Sequence, residues 1–364
     1  MIGGFLGAGK TTSVGRLAKH LTDRGLKVGL ITNDQGSQLV DTATLSSRGF
    51  AVEEIPGGCF CCRFNSLVEA ARKLSRETRP DVFIAEPVGS CTDLVATVSY
   101  PLRRIYGGEF AIAPLSVLVD PIRASRVIGL ENGGSFSEKV LYIYRKQLEE
   151  ADIIVINKSD LLKPERLRTL HTKLALEYPA AEIMEISARQ GTGLETWFER
   201  ISTAKPLDRV AMPVNYEVYA EGEAMLGWLN ATVNVSAREA TDGNKILREI
   251  AAGVQRTLQS AGAEVAHLKM TLDPEGSIGE LAVINLVRND FVPELSQELE
   301  DLLEKGQILV NIRAETAPAV LEEALRSSLK AVAGQFPTVE FSVEHLEQFR
   351  PGKPQPTHRF SDAG

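Results

Sequence analysis

At 364 residues, 43% of them apolar and 24% charged, the chain is long for a single core and too rich in apolar side chains for extended disorder, so two globular domains are expected. A net charge of −8 argues against a general nucleic-acid or anionic-membrane partner. No 18-residue apolar run and no signal-peptide layout occurs, which leads to the expectation of a cytoplasmic protein without a membrane role.

In chain order, the first element is Gly4-Phe5-Leu6-Gly7-Ala8-Gly9-Lys10-Thr11, which fits the G-x-x-x-x-G-K-[ST] pattern of a phosphate-binding loop. Glycines let successive backbone N–H groups close around phosphate oxygens, Lys10 brings a point charge, and Thr11 a hydroxyl for Mg²⁺. Gly4, Gly7, Ala8, Gly9, Lys10, Thr11 and Thr12 are therefore the expected nucleotide contacts. Val14, Leu17 and Leu21 recur at helical spacing behind the loop until Gly25 ends the helix. Only Met1 and Ile2 precede Gly3, so the strand that normally feeds such a loop is expected to be cut short.

Residues 27–32 read as a buried strand carrying Asn33-Asp34-Gln35-Gly36 at its carboxyl end, where ligands gather in α/β sheets. Asp34 there suits Mg²⁺ or a nucleophilic water, and an Asx turn equally well. A second strand over 50–55 runs into Pro56-Gly57-Gly58-Cys59-Phe60-Cys61-Cys62. Three of the chain's four cysteines thus fall within four positions, behind a glycine pair that lets the backbone curl. Thiolates at i, i+2 and i+3 can point at one centre, which favours a soft metal over a disulfide, since adjacent Cys61 and Cys62 would bridge only under strain. Zn²⁺, Co²⁺ and Cu⁺ all suit such a donor set.

Asp81-Val82-Phe83-Ile84-Ala85-Glu86 is a short apolar strand with an acid at its tip, and Gly89 follows. That is the layout of a loop that senses a terminal phosphate: Glu86 would hold the metal-bound water, and the Gly89 N–H would meet the phosphate. Lys10, Asp34 and Glu86 are the expected catalytic residues, with Thr11 and Glu86 at Mg²⁺. Cys91, two residues past Gly89, either closes the metal site in one nucleotide state or is a buried apolar cysteine. Strands over 115–120 and 152–156 follow, the second running into Asn157-Lys158-Ser159-Asp160. An N-K-x-D element reads guanine, because a carboxylate accepts from N1–H and the 2-amino group, which adenine does not offer. Lys158 would lie along the base, and Ser187-Ala188, after a strand over 183–186, would present a backbone N–H to guanine O6. A small-molecule kinase would have the phosphate loop but no use for the N-K-x-D element.

Gly3-Gly4-Phe5-Leu6-Gly7-Ala8-Gly9-Lys10-Thr11-Thr12, Gly57-Gly58-Cys59-Phe60-Cys61-Cys62, Glu86-x-x-Gly89 and the stretch 147–160 together resemble the CobW-like GTPases, relatives of the urease and hydrogenase maturation GTPases. The resemblance covers roughly residues 1–205. It implies an α/β P-loop GTPase domain with a mostly parallel sheet, hydrolysing GTP with Mg²⁺ and carrying Zn²⁺ or Co²⁺ to a client metalloprotein. By that likeness Cys59, Cys61 and Cys62 are the metal-binding positions, and Lys10, Thr11, Asn157 and Asp160 bind GTP. The His-rich stretch of some members is absent, and Glu86-Pro87-Val88-Gly89-Ser90-Cys91 departs from the commoner Glu-x-x-Gly-x-Ala-x-Pro. A regulatory GTPase with a purely structural zinc is the alternative.

A linker is expected at 206–213, where two prolines interrupt any periodicity, followed by a smaller α+β domain at 214–346. Leu229, Ala231, Val233 and Val235 alternate with Trp228, Asn230, Thr232 and Asn234, the pattern of a strand with one buried and one wet face. Similar alternation marks 268–272, 308–312 and 339–343. Helices are expected on Ile246, Ile250, Val254 and Leu258, on Leu295, Leu299 and Leu302, and on Leu321, Leu325, Leu329 and Val332, covering one face of the sheet. This domain would bind the client or make a homodimer. The tail, 347–364, carries Pro351, Pro354 and Pro356 and is expected to be an extended, solvated end, although His358 and Arg359 are placed to reach the first domain.

Overall fold

Two units partition the chain in the computed structural model, which describes residues 1–34, 40–277 and 280–364: one comprises Met1–Gln35, Phe50–Gly222 and Lys353–Gly364, the other Gly36–Gly49 and Glu223–Gly352. In the first unit, apolar runs form short parallel strands and amphipathic runs form the helices between them. These are β1 (Ile2–Gly4), α1 (Lys10–Asp23), β2 (Val28–Asn33), then, after α2 (Val40–Ser46) of the second unit, β3 (Ala51–Ile55), α3 (Phe64–Glu77), β4 (Val82–Glu86), α4 (Tyr100–Tyr106), β5 (Ser116–Val119), α5 (Pro121–Val127), α6 (Glu138–Glu149), β6 (Ile153–Ile156), α7 (Pro164–Glu177), β7 (Glu182–Glu185) and α8 (Leu194–Thr203). The strands pair in two parallel groups, β1-β5-β6-β7 and β3-β2-β4. Within each group the strands run the same way, so the motifs at their carboxyl ends gather at one edge of that group.

The brief first strand is in place: Ile2, Gly3 and Gly4 pair with Ser116, Val117 and Leu118. Residues 206–213, expected as a linker, are tied into this unit, with Leu207 N–H on Asp152 and the Tyr100 hydroxyl on the Arg209 carbonyl. After its first excursion at Gly36–Gly49, the chain passes to the second unit again within α9 (Tyr216–Met225).

The second unit is a six-stranded antiparallel sheet in the order β11-β10-β9-β12-β8-β13, formed by β8 (Leu226–Thr241), β9 (Glu264–Pro274), β10 (Ala282–Leu286), β11 (Glu294–Gln297), β12 (Leu303–Glu315) and β13 (Val339–Phe349), with α10 (Gly243–Ser260) and α11 (Pro318–Gln335) between them. Leu229, Val233, Met270, Val310 and Ile312 meet Ile250, Val254, Leu321 and Leu325 in its core. Two expectations fail here. The helix on Leu295, Leu299 and Leu302 is instead β11 and a loop: Leu302 is 63% exposed, while Leu299 is fixed by a two-way hydrogen-bond pair with the Asn244 side chain. Pro293 and a strand partner in β10 outweigh three leucines whose spacing mimicked a helix.

The wet face of β8 is also largely covered, since Trp228, Asn230 and Thr232 are buried. Arg313 lies 4.0 Å over the Trp228 ring, and Asn311 links Asn230 to the first N–H of α2 at Val40. Lys269 pairs with Asp41 of the same helix. A helix drawn from between β2 and β3 of the nucleotide-binding half thus forms part of the second unit, a pairing that no local pattern announces.

Candidate functional site

The phosphate loop leaves β1 at Gly4, where no side chain fits: a Cβ would lie 2.3 Å from the Leu118 carbonyl oxygen, at a φ of +129°. Lys10 is buried and lays its ammonium on the Gly4 carbonyl at 2.8 Å, which keeps the charge over the loop. Thr11 Oγ1 donates to Glu86 Oε1 at 2.9 Å, uniting the start of α1 with the tip of β4 and so the two expected Mg²⁺ residues. Gly89 then packs onto the loop so tightly that a Cβ would stand 2.9 Å from the Leu6 nitrogen. Asp34 follows the tip of β2, its N–H bonded to the Ile55 carbonyl at 3.3 Å; Gln35 and Gly36 lie outside the described residues.

At the N-K-x-D turn, expected to read the base, Asn157 acts as a staple. Its Nδ2 donates to the Ala8 carbonyl at 2.9 Å, and its Oδ1 accepts from the Ala188 N–H at 3.0 Å, joining the phosphate loop, the N-K-x-D turn and the Ser187-Ala188 turn. The Ala188 N–H expected for guanine O6 is thereby held by Asn157. Lys158, in a left-handed conformation, reaches Gly7 O at 2.7 Å and Asp120 Oδ2 at 3.0 Å, so its stem crosses the loop. Asp160 is exposed at the turn. A carboxylate there accepts two hydrogen bonds that an amide would oppose with a donor. Asp160→Asn is expected to weaken GTP binding by about thirty- to a hundredfold and to bring xanthosine triphosphate, whose C2 carbonyl accepts from the amide, up to comparable affinity. Equal affinity of the unaltered chain for ATP and GTP in a titration would contradict this.

The cysteine loop hangs from β3, beside β2 at the same edge. Gly57 and Gly58 take φ of +74° and +150°, and the Asn33 side chain at the tip of β2 bonds both the Ile55 and Gly58 carbonyls. The turn that follows, closed by Cys62 N–H and Arg63 N–H on the Cys59 carbonyl, brings three thiols together. Sulfur separations are 2.8 Å for Cys59–Cys61, 3.3 Å for Cys59–Cys62 and 3.6 Å for Cys61–Cys62, and all three are free thiols. Hydrogen bonds with Cys61 and Cys62 hold Cys59 well below the ordinary thiol range, while the same contacts raise Cys61 and push Cys62 up to about 11. A cation placed among the three would stabilise their deprotonated forms. Convergent buried sulfur is the donor set of a soft or borderline ion such as zinc.

Several supporting residues carry no motif. Asp120 caps α5 through the Ile122 and Arg123 N–H groups, a role that the sequence Asp120-Pro121 after an apolar strand could have signalled. Arg123 donates to the Leu6 carbonyl at 2.6 Å between the Phe5 and Phe136 rings. Gln147 of α6 holds the Gly89 and Cys91 carbonyls at 3.0 and 2.8 Å. Glu150 accepts from Thr92 Oγ1 and the Val95 N–H, both at 3.1 Å, and burial pushes its carboxyl up to about 8. Cys91 is itself buried, with its thiol hydrogen-bonded to Cys59.

The phosphate loop, the N-K-x-D turn and the Thr11–Glu86 contact, set on parallel strands, define the first unit as a P-loop nucleotide-binding domain. Residues 1–185 match the model of the CobW/HypB/UreG nucleotide-binding domain, and the chain belongs to that family. Similar curated proteins include the zinc chaperone YeiR of Escherichia coli (strain K12), 34% identical over 176 residues (47% of this chain, 49% of that one). Another is the zinc chaperone CobW of Sinorhizobium sp, 29% identical over 197 residues (48% and 54%). A third is the zinc-regulated GTPase metalloprotein activator 1 of Dictyostelium discoideum, 26% identical over 213 residues (50% and 44%). The chain thus spans about half the length of the curated relatives it matches. Among solved structures, Zn(II)-bound YjiA GTPase from E. coli aligns over 91% of this chain and 97% of that one at 16% identity and a TM-score of 0.36.

Proposed function

We propose that this chain hydrolyses GTP as a switch and carries Zn²⁺ in its Cys59-Cys61-Cys62 loop to a client metalloprotein. The observation that carries the reading is the set of three sulfurs within 4.8 Å of one another on a loop anchored by Asn33 to the strand next to that of Glu86. Lys10 and the N–H groups of the 4–12 loop would hold the phosphates, Thr11 and Glu86 would hold Mg²⁺, and Asp34 or Glu86 would orient the attacking water. Asn157, Lys158, Asp160, Ser187 and Ala188 would frame the guanine. The names of the relatives favour zinc over cobalt as cargo, and the chemistry proposed is that of a cytoplasmic protein. No helix of the described residues is long and apolar enough to cross a membrane.

Three thiolates leave a tetrahedral ion one open position, which a carrier needs for hand-over. Cys91 is the candidate for closing it: it is buried against Cys59 and sits on the segment between Gly89 and the Gln147 and Glu150 contacts. If Cys91 closes the site in one nucleotide state, GTP changes zinc affinity and zinc changes GTP affinity by the same factor. Zinc titrations with GTP, GDP and no nucleotide test this. Cys91→Ser is expected to leave binding by the other three thiolates intact and to erase most of the nucleotide dependence. Equal zinc affinity in all three states, with no transfer to an apo-metalloprotein, would instead favour a regulatory GTPase whose zinc stays in place.

A further inference from the structure

The tail departs most from its expected solvated state. From Gly352 onward it forms no helix or strand, yet it is fixed along its length to the first unit. The Gln355 N–H donates to Cys62 Sγ at 3.2 Å, the Thr357 N–H to the Cys61 carbonyl at 2.8 Å, and Thr357 Oγ1 to the Cys62 carbonyl at 3.2 Å. Cys59 and Cys61 are buried and Cys62 is half-buried, so the tail crosses the least buried cysteine of the trio. Farther on, the His358 ring stands edge-on to Phe64 at 5.1 Å, and Arg359 Nε pairs with Asp93 Oδ2 at 2.8 Å. The Phe360 N–H reaches the Ala96 carbonyl at 2.9 Å, with the Arg104 guanidinium 4.9 Å over the Phe360 ring.

Asp93 is what makes this more than a packed end. It is 1% exposed, holds a left-handed φ of +65°, and shares its carboxylate between Arg359 and the Tyr216 hydroxyl. It lies two residues past Cys91 on the segment that starts at Glu86. One extended stretch of backbone, stiffened by Pro354 and Pro356, thus joins the cysteine loop at one end to the segment behind the phosphate-sensing acid at the other.

We propose that residues 353–364 are a latch on the metal loop: fastened, they keep zinc in, and loosening at Asp93 frees the Cys62 side for hand-over. This rests on the zinc-carrier reading above. Hydrogen bonds of this kind are each worth about fivefold in an equilibrium, so the latch holds as a set and opens piecewise. Movement of the Glu86 segment on hydrolysis would act on it first through Arg359.

The test is the rate at which zinc-loaded full-length chain loses its metal to excess pyridylazo-resorcinol dye, read beside the zinc stoichiometry before the dye is added. Gln355→Pro removes one N–H from a segment already flanked by prolines and is expected to speed release about fivefold at full stoichiometry. Arg359→Met, or a chain ending at Gly352, is expected to speed it about tenfold or more and to abolish the difference between GTP and GDP. If the shortened chain fails to fold, the two point variants still decide the matter. Release unchanged within twofold in both, with zinc fully bound, overturns the latch and leaves the carrier reading standing; a parent chain that takes up no zinc overturns both.

Discussion

Cys59→Ser is expected to lower zinc affinity by at least about a thousandfold while leaving GTP affinity unchanged within threefold. Outer partners of a metal ligand typically shift affinity by about ten- to a hundredfold, and loss of a direct thiolate exceeds that range. Cys59 is chosen because its sulfur lies 2.8 and 3.3 Å from the other two, and its hydrogen bonds with them hold its thiol below the ordinary range. A serine hydroxyl remains protonated and gives the ion no negative charge. Serine is close in volume, so the buried site loses chemistry and not packing, which an unchanged melting temperature without metal would verify. Competition against a chelator of known affinity gives the number. Tight zinc binding retained by Cys59→Ser, and again by Cys61→Ser, would place the ion elsewhere and remove the carrier reading.

What the sequence made legible was whatever a backbone needs at fixed spacing. Gly4 to Thr11, Glu86 and Gly89 are brought together because short parallel strands end at one edge, and that edge follows from apolar runs alone. The sulfur trio was equally legible, since Gly57 and Gly58 leave little else for the turn to do. Less legible was anything satisfied by a distant partner. Asn33 reads as an ordinary residue at a strand end, yet it fastens the cysteine loop. Gln147 lies on, and Glu150 just past, a helix whose spacing reports only its apolar face, while their side chains hold the Gly89 to Val95 segment. The tail shows the same limit from the other side: proline-rich composition predicts extension correctly and says nothing about what the extended backbone rests on.

Glu150 gives a second large effect, on stability and its dependence on pH. Burial raises its carboxyl from an ordinary value near 4.5 to about 8, so at neutral pH the folded chain holds a proton there that the unfolded chain has lost. For an acid raised on folding, stability is complete below the unfolded value and declines as pH rises to the folded one. The decline over that whole window is on the order of 5 kcal/mol, of which roughly 3 falls between about pH 6 and about pH 9. Glutamine mimics the protonated form: its carbonyl can accept from the Val95 N–H and its amide can donate to Thr92 Oγ1, so the Gly89 to Val95 segment stays held. Glu150→Gln is therefore expected to be the more stable chain at about pH 9 by a few kcal/mol, and nearly equal to its parent at about pH 5, in urea unfolding followed at several pH values. If the two chains differ by the same amount across that range, Glu150 is ionised in the fold, and the Thr92 and Val95 contacts are those of a carboxylate.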